Sequence, residues 1–224
     1  AGLIIGAVFV SGLGLKFTQS VINIADGNLL ILLMLTGVAA IILGMGITTT
    51  AVYITVAALI VPAVVKAGVE PMAAHMFAFY FGVVSTITPP VALASFAAAA
   101  ISKTPPMATA FESTRVGITK YLAPLIFVYN PSLLFIGPLW LTLVSTILAL
   151  FGLWILSISI EGWYRGKLEP VTRIGFLTAA IFLLIPPVIE MFALPGYGYN
   201  MVGVVGALAL IQFRYQVTKQ WVSP

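Results

Sequence analysis

No charged residue occurs between Leu29 and Val65, and that uncharged stretch constrains the chain more than any other feature. A single helix of that length, at 1.5 Å per residue, is roughly 55 Å long, against a bilayer hydrocarbon core of roughly 30 Å. The segment must therefore fold back. The place for it is Gly44-Met45-Gly46-Ile47-Thr48-Thr49-Thr50, which leaves arms of about 16 residues on either side. Arms this short suit a re-entrant helical hairpin, and two tilted spanning helices fit them as well. A second apolar run is interrupted at Ser85-Thr86-Ile87-Thr88-Pro89-Pro90. At membrane depth, irregular backbone is tolerated only where it is buried in protein or lines a cavity. Two such breaks within residues 28–102 predict an ion or substrate site built from helix ends.

The residue types at both breaks point the same way. The first offers glycine carbonyls with little steric cover and three adjacent hydroxyls, which are hard oxygen donors suited to an alkali cation. A tight turn in which Thr48, Thr49 and Thr50 cap the second arm explains the same residues, and the two readings are compatible. At the second break, Pro89 and Pro90 lack N–H groups, so carbonyls one turn earlier lose their helical partners. Those carbonyls, with the hydroxyls of Ser85, Thr86 and Thr88, suit a cation. The half-helix that starts near Pro90 turns its positive end toward the same spot, which favours an anionic group. The plain alternative is a proline kink relieved by threonine hydroxyls.

Composition excludes most other classes. The chain is 61% hydrophobic and 7% charged, with a mean hydropathy of +1.16. Soluble domains carry about 25% charged residues. Continuous rather than alternating apolar runs predict an all-α integral membrane protein, a polytopic helical bundle and not a barrel. With no cysteine, one histidine and six carboxylates, the chain has little material for a transition-metal centre or a catalytic dyad. The net charge of +4 falls mostly in short loops and reads as a topology signal, not as nucleic-acid binding. The chain opens Ala-Gly-Leu and enters an apolar run at once, which suggests the C-terminal part of a longer membrane protein.

In order, residues 2–25 form a first spanning candidate, with Gly12, Gly14 and Lys16 marking a bend. Asp26-Gly27-Asn28 is a turn and helix N-cap. Residues 28–66 form the hairpin. Residues 67–102 follow as an interfacial turn, Lys66 to Pro71, and a broken helix carrying His75. Residues 103–131 comprise a surface-lying amphipathic helix over 107–120, on which Glu112 and Arg115 can pair, and a short apolar segment over 121–130. The C-terminal part, 132–224, holds spanning helices over 133–160 and 171–189, an interfacial Glu190, a turn at Gly196 to Tyr199, and a short apolar run over 200–213. Arg165, Lys167 and Arg173 form the strongest basic cluster. Arg214 and Lys219 form the next, and if 200–213 crosses, both face the cytoplasm.

Four stretches resemble one family: Leu43 to Tyr53, Pro71 to Phe77, Phe79 through Ala94 with its Thr88-Pro89-Pro90, and Phe127-Val128-Tyr129-Asn130-Pro131. Together, over about residues 1–135, they resemble the fused permease of tripartite ATP-independent periplasmic (TRAP) transporters. The last third resembles the extra C-terminal helices of fused permeases more loosely. The family's hairpin tip often reads Gly-Met-Gly-Leu-Pro-Thr-Thr. Here Ile47-Thr48 replaces Leu-Pro, which restores an N–H and adds a hydroxyl.

The resemblance implies a sodium-coupled secondary transporter of the bacterial or archaeal cytoplasmic (inner) membrane. It implies Na⁺ as coupling ion and no other cofactor. A periplasmic substrate-binding protein would deliver an organic anion such as a carboxylate. It implies an elevator-type fold of two inverted repeats, of which this chain carries one, so that the N-terminal half of the permease is missing. Carried over by position, Gly44, Gly46, Thr49 and Thr50 form the hairpin side of a sodium site, and Thr86 and Thr88 the broken-helix side. Ser85, Pro89, Pro90 and Ser95 line the substrate pathway.

Three other classes compete. A proton-coupled carrier or channel of the same fold would want buried carboxylates or histidines, and residues 28–102 offer only Glu70 and His75, both near an interface. A membrane-embedded enzyme would need a clustered acid, base and nucleophile, whereas the carboxylates here are scattered at helix ends. A structural assembly subunit would suit glycine-rich packing faces but would not explain two oxygen-rich helix breaks.

Overall fold

Glycine, proline and side-chain caps punctuate the chain where the apolar pattern alone would run on. The computed structural model describes residues 2–46, 48–186 and 197–222. Among these it is helical throughout apart from turns, with an isolated bridge between Trp163 and Lys167. The chain divides into two compact units, 1–131 and 132–224. Glu190 and Gly196 lie outside the described residues, as does Ile47 of the hairpin tip.

In the first unit, α1 (Gly2–Ser11) and α2 (Leu13–Ala25) are separated by Gly12, whose φ of 64° is left-handed. Asn28 then caps α3 (Leu29–Gly44), its Oδ1 accepting from the Leu30 and Ile31 amides at 3.0 and 3.2 Å. The return arm is α4 (Thr49–Leu59), continued at Ile60 into α5 (Val61–Lys66). At 1.5 Å per residue, α3 is about 24 Å long, short of a full crossing. The combined Thr49–Lys66 stretch is one of two among the described residues long and apolar enough to cross a membrane; Leu139–Glu161 is the other. Glu70 caps α6 (Pro71–Val84) through the Ala73 amide, with Pro71 in the first turn, where its missing N–H costs nothing.

Helix α6 is the centre of the unit. It packs against α3, α4 and the later α9 (Ile118–Tyr129), and its Ala73, Ala74, Phe77 and Ala78 are fully buried. Glycines set how closely the hairpin approaches. A Cβ on Gly37 would stand 2.9 Å from the Phe81 ring, and one on Gly82 would stand 2.6 Å from Val52 Cγ1. In lipid, where apolar faces gain nothing by leaving water, such small-residue contacts are what bring helices together.

The segment expected as one amphipathic helix over 107–120 is two helices, α8 (Pro106–Val116) and α9. They part at Gly117, where a Cβ would meet Ile87 Cδ1 at 2.7 Å, so the junction is fixed by close approach to the second break. Residues 121–129, expected as a separate short segment, belong to α9, which lies on α6 through Tyr80–Phe127 and Phe81–Tyr121 ring contacts. Glu112 and Arg115 pair as the spacing predicts. Helix α7 (Leu93–Ser102) precedes α8 and packs on it.

A 3₁₀ turn, Pro131–Leu134, begins at the last residue of the first unit, and the second unit holds α10 (Leu139–Glu161), α11 (Pro170–Leu184) and α12 (Gly198–Val222). Helix α12 outruns the expected 200–213 segment because residues 214–222 contain neither glycine nor proline to stop it. Gly152 admits Leu184, and Gly203 sits so near α11 that a Cβ would be 2.8 Å from the Leu183 amide nitrogen. Asn200 Nδ2 donates to the Leu183 and Ile185 carbonyls at 2.9 and 3.0 Å, closing the C-terminus of α11.

Overpacking at Gly82 tests the hairpin–α6 contact. Gly82→Val should destabilise the protein by about 1–3 kcal/mol, seen as a lower Tm in detergent. Restoring space with Val52→Ala should recover much of the loss. Equal Tm values for Gly82→Val in both backgrounds would contradict the packing.

Candidate functional site: two helix breaks held together

The two breaks meet at one side chain. Ser85 Oγ donates to the Gly82 carbonyl at 2.6 Å and lies 3.0 Å from the Gly44 carbonyl, a bifurcated bond that ties the end of α3 to the end of α6. Ser85 is 1% exposed. A Cβ on Gly44 would stand 2.5 Å from Ser85 Oγ and 2.8 Å from the Gly82 carbonyl oxygen, so only glycine lets the backbones approach this closely.

After Ser85 the chain tightens. The amides of Thr86, Ile87 and Thr88 donate three residues back, to Val83, Val84 and Ser85, at 3.1, 3.0 and 3.3 Å. The threonine hydroxyls reinforce this, Thr86 Oγ1 to Val83 at 2.8 Å and Thr88 Oγ1 to Val84 at 2.6 Å. Of the carbonyls expected to be freed by the prolines, that of Ser85 takes the Thr88 amide and that of Thr86 takes the Ala94 amide, one donor each. A carbonyl oxygen has two lone pairs, so each retains acceptor capacity. The Pro89–Pro90 peptide is cis, and Ala92 follows at a φ of 29°. The Ala94 amide reaches back across the break to the Thr86 carbonyl at 3.0 Å, joining α7 to the end of α6.

The remaining predicted residues are placed as follows. Gly46 turns the tip with a φ of 79°. Thr48 holds the N-cap position of α4 but makes no side-chain cap, so the capping role expected of it is not filled. Thr49 and Thr50 are exposed, and no hydrogen bond ties their hydroxyls to the second break. Ser95, in the first turn of α7, is 2% exposed and its hydroxyl has no hydrogen-bond partner. The N-terminus of α7 also lacks a side-chain cap.

Sequence reasoning missed two supports of the break. Tyr121 of α9 bonds Thr88 Oγ1 through its hydroxyl at 2.5 Å, and Thr114 of α8 donates to the Ile87 carbonyl at 3.2 Å. Spacing carries no signal for either, since they lie 33 and 27 residues away. An open groove of about 740 Å³, lined by Thr109, Glu112, Ser113, Gly117 and Lys120, reaches the break at Ile87. His75, the one histidine, is half-buried, with Nδ1 3.0 Å from the Tyr53 hydroxyl of α4.

Residues 1–140 match the family model described as the tripartite ATP-independent periplasmic transporter, DctM component. The chain belongs to that family. No curated protein and no solved structure matches it. The matched region contains both helix breaks, the Ser85 bond between them and the Tyr121 support. As a DctM component, the chain is a membrane permease of a TRAP transporter, a transporter part and not a member of an enzyme family.

Ser85→Ala should leave the Gly44 carbonyl without its partner at a cost of about 1–1.5 kcal/mol. Amide exchange at Met45, Gly46 and Thr48–Thr50 should then quicken by roughly tenfold. Unchanged exchange at the tip would show that the bond does not hold the two breaks together.

Proposed function

We propose that this DctM component is a sodium-coupled permease, multi-pass in the cytoplasmic (inner) membrane, that takes up an organic anion delivered by a periplasmic binding protein. The observation that carries the reading is the joining of two oxygen-rich helix breaks by Ser85 and the Gly44 carbonyl. An alkali cation needs several hard oxygen donors in one place, and helix breaks supply them without charged side chains. In this reading the Na⁺ ligands are drawn from Gly44, Gly46, Thr49 and Thr50 on the hairpin and Thr86 and Thr88 on the broken helix.

The anionic substrate is supported by a different feature. The N-termini of α4 and α7 follow the two breaks, and neither is closed by a side-chain cap. Their helix dipoles favour negative charge, although at α7 the Ala94 amide is already taken by the Thr86 carbonyl. The buried hydroxyl of Ser95 lacks a partner and suits a ligand that completes it, with Ser85, Pro89 and Pro90 along the same pathway. Helix α3, at about 24 Å, fits a re-entrant arm of a hairpin that moves with the broken helix as an elevator.

Proton coupling is the second reading, and His75 is the group that would serve it. Its bond to Tyr53 joins α6 to α4, a packing role, and among the described residues its ring has no further hydrogen-bond partner.

Substitution separates ion ligation from scaffold. Thr88→Val and Thr49→Val should each raise the Na⁺ concentration for half-maximal uptake by roughly tenfold, the effect of one lost oxygen partner. Assembly should be unaffected. Tyr121→Phe keeps the Thr88 hydroxyl while removing its support, and should shift the Na⁺ response much less than Thr88→Val. A wild-type sodium response in both threonine variants would overturn the assignment.

A further inference from the structure

The loop between α10 and α11 is a built turn. Leu168 N donates to the Gly162 carbonyl at 2.8 Å, Tyr164 N to the Gly166 carbonyl at 3.0 Å, and Trp163 and Lys167 form the bridge pair. Arg165 and Gly166 carry the reversal at φ values of 51° and 134°. Side chains alternate along it. Trp163, Arg165 and Lys167 are exposed, while Leu168 is buried and Tyr164 turns its ring onto Phe176 and Trp154 at 6.1 and 6.2 Å.

Two arginines fix the turn from behind. Arg214 of α12 is 91% buried, with a guanidinium nitrogen 3.2 Å from the Lys167 carbonyl, so a positive charge lies directly under the turn. Arg173 closes the C-terminus of α10, donating to the Ser159 and Ile160 carbonyls at 2.6 Å each. The Arg165 guanidinium stacks over Tyr215 at 4.8 Å, a cation–π contact that holds it in place. Glu161 and Glu169 flank the turn, leaving four cations against two carboxylates.

Below the turn, α10 presents Trp154, Leu150, Ile147 and Leu143 to the outside, each between 47% and 66% exposed and spaced three or four residues apart. This is one continuous apolar stripe on a helix long enough to cross the bilayer, ending at Tyr164 of the turn.

We propose that this end of the second unit holds an anionic phospholipid. Its phosphate lies against Arg165 and Lys167 over the buried charge of Arg214. Its acyl chains follow the Trp154–Leu150–Ile147 stripe, and Trp163 sits at headgroup depth, where indole is favoured. A basic turn at the end of a spanning helix meets an anionic leaflet surface. Each nearby Lys or Arg strengthens binding there by about fivefold. The assignment concerns a lipid site away from the helix breaks and does not depend on the coupling ion.

Native mass spectrometry of the delipidated permease, titrated with phosphatidylglycerol or phosphatidylcholine, tests it. Phosphatidylglycerol should bind more tightly by at least about fivefold. Arg165→Gln with Lys167→Gln should abolish that preference without changing phosphatidylcholine binding, and Lys167→Gln alone, at an exposed side chain, should reduce it. Trp163→Ala should weaken both lipids. Equal binding of the two lipids by the wild type, or an undiminished preference in the double variant, would overturn the proposal. So would displacement of phosphatidylglycerol by inorganic phosphate, which would mean that the turn binds free phosphate and not a lipid.

Discussion

The first unit depends on one hydrogen-bonded contact, that of Ser85 with the Gly44 carbonyl. It joins the points at which two apolar helices stop being helical. A helix that stops inside a membrane leaves backbone groups without partners, and each costs several kcal/mol unless something satisfies it. Here one bond crosses between the breaks, and the second break satisfies its remaining groups within itself. The Gly44 carbonyl takes the Ser85 hydroxyl, and the Val83 and Val84 carbonyls take the Thr86 and Thr88 hydroxyls. The Thr86 carbonyl takes the Ala94 amide of the helix beyond. The result is a junction rich in oxygen and poor in charge.

That junction is bedded on packing set by absent side chains. Gly37, Gly44 and Gly82 let α3 and α4 come within contact of α6, and Gly117 lets the α8–α9 junction press on Ile87. From the far side, Tyr121 and Thr114 hold Thr88 and the Ile87 carbonyl. Small residues thus determine where the breaks lie, and hydroxyls determine how they are held. Both features fit membership of the DctM family, whose members are membrane permeases.

Much of this was legible in the sequence where cause and effect are close together. The Asn28 cap, Pro71 in the first turn behind Glu70, and the Glu112–Arg115 pair all rest on neighbours within four residues. The first break followed from the length of the uncharged run set against the bilayer, and the second from the two prolines and the hydroxyl residues before them. What joins the breaks was not legible, because Ser85 and Gly44 are 41 residues apart and no periodicity links them. The division of 106–129 into α8 and α9 was hidden for the same reason, since Gly117 acts through tertiary contact with Ile87 and not through local propensity. The apolar run ends at Phe213 but α12 does not, because the polarity that begins at Arg214 does not stop a helix; only the backbone or a cap does.

The measurement that bears most directly on the proposed ion site is substrate uptake into proteoliposomes holding the permease and its binding protein, with an imposed gradient of Na⁺ or of protons. The account predicts uptake that requires the Na⁺ gradient and the binding protein together, and that a proton gradient does not replace. Uptake driven equally well by protons alone would contradict it, and would leave Thr49 and Thr88 as ordinary residues of a turn and a kink.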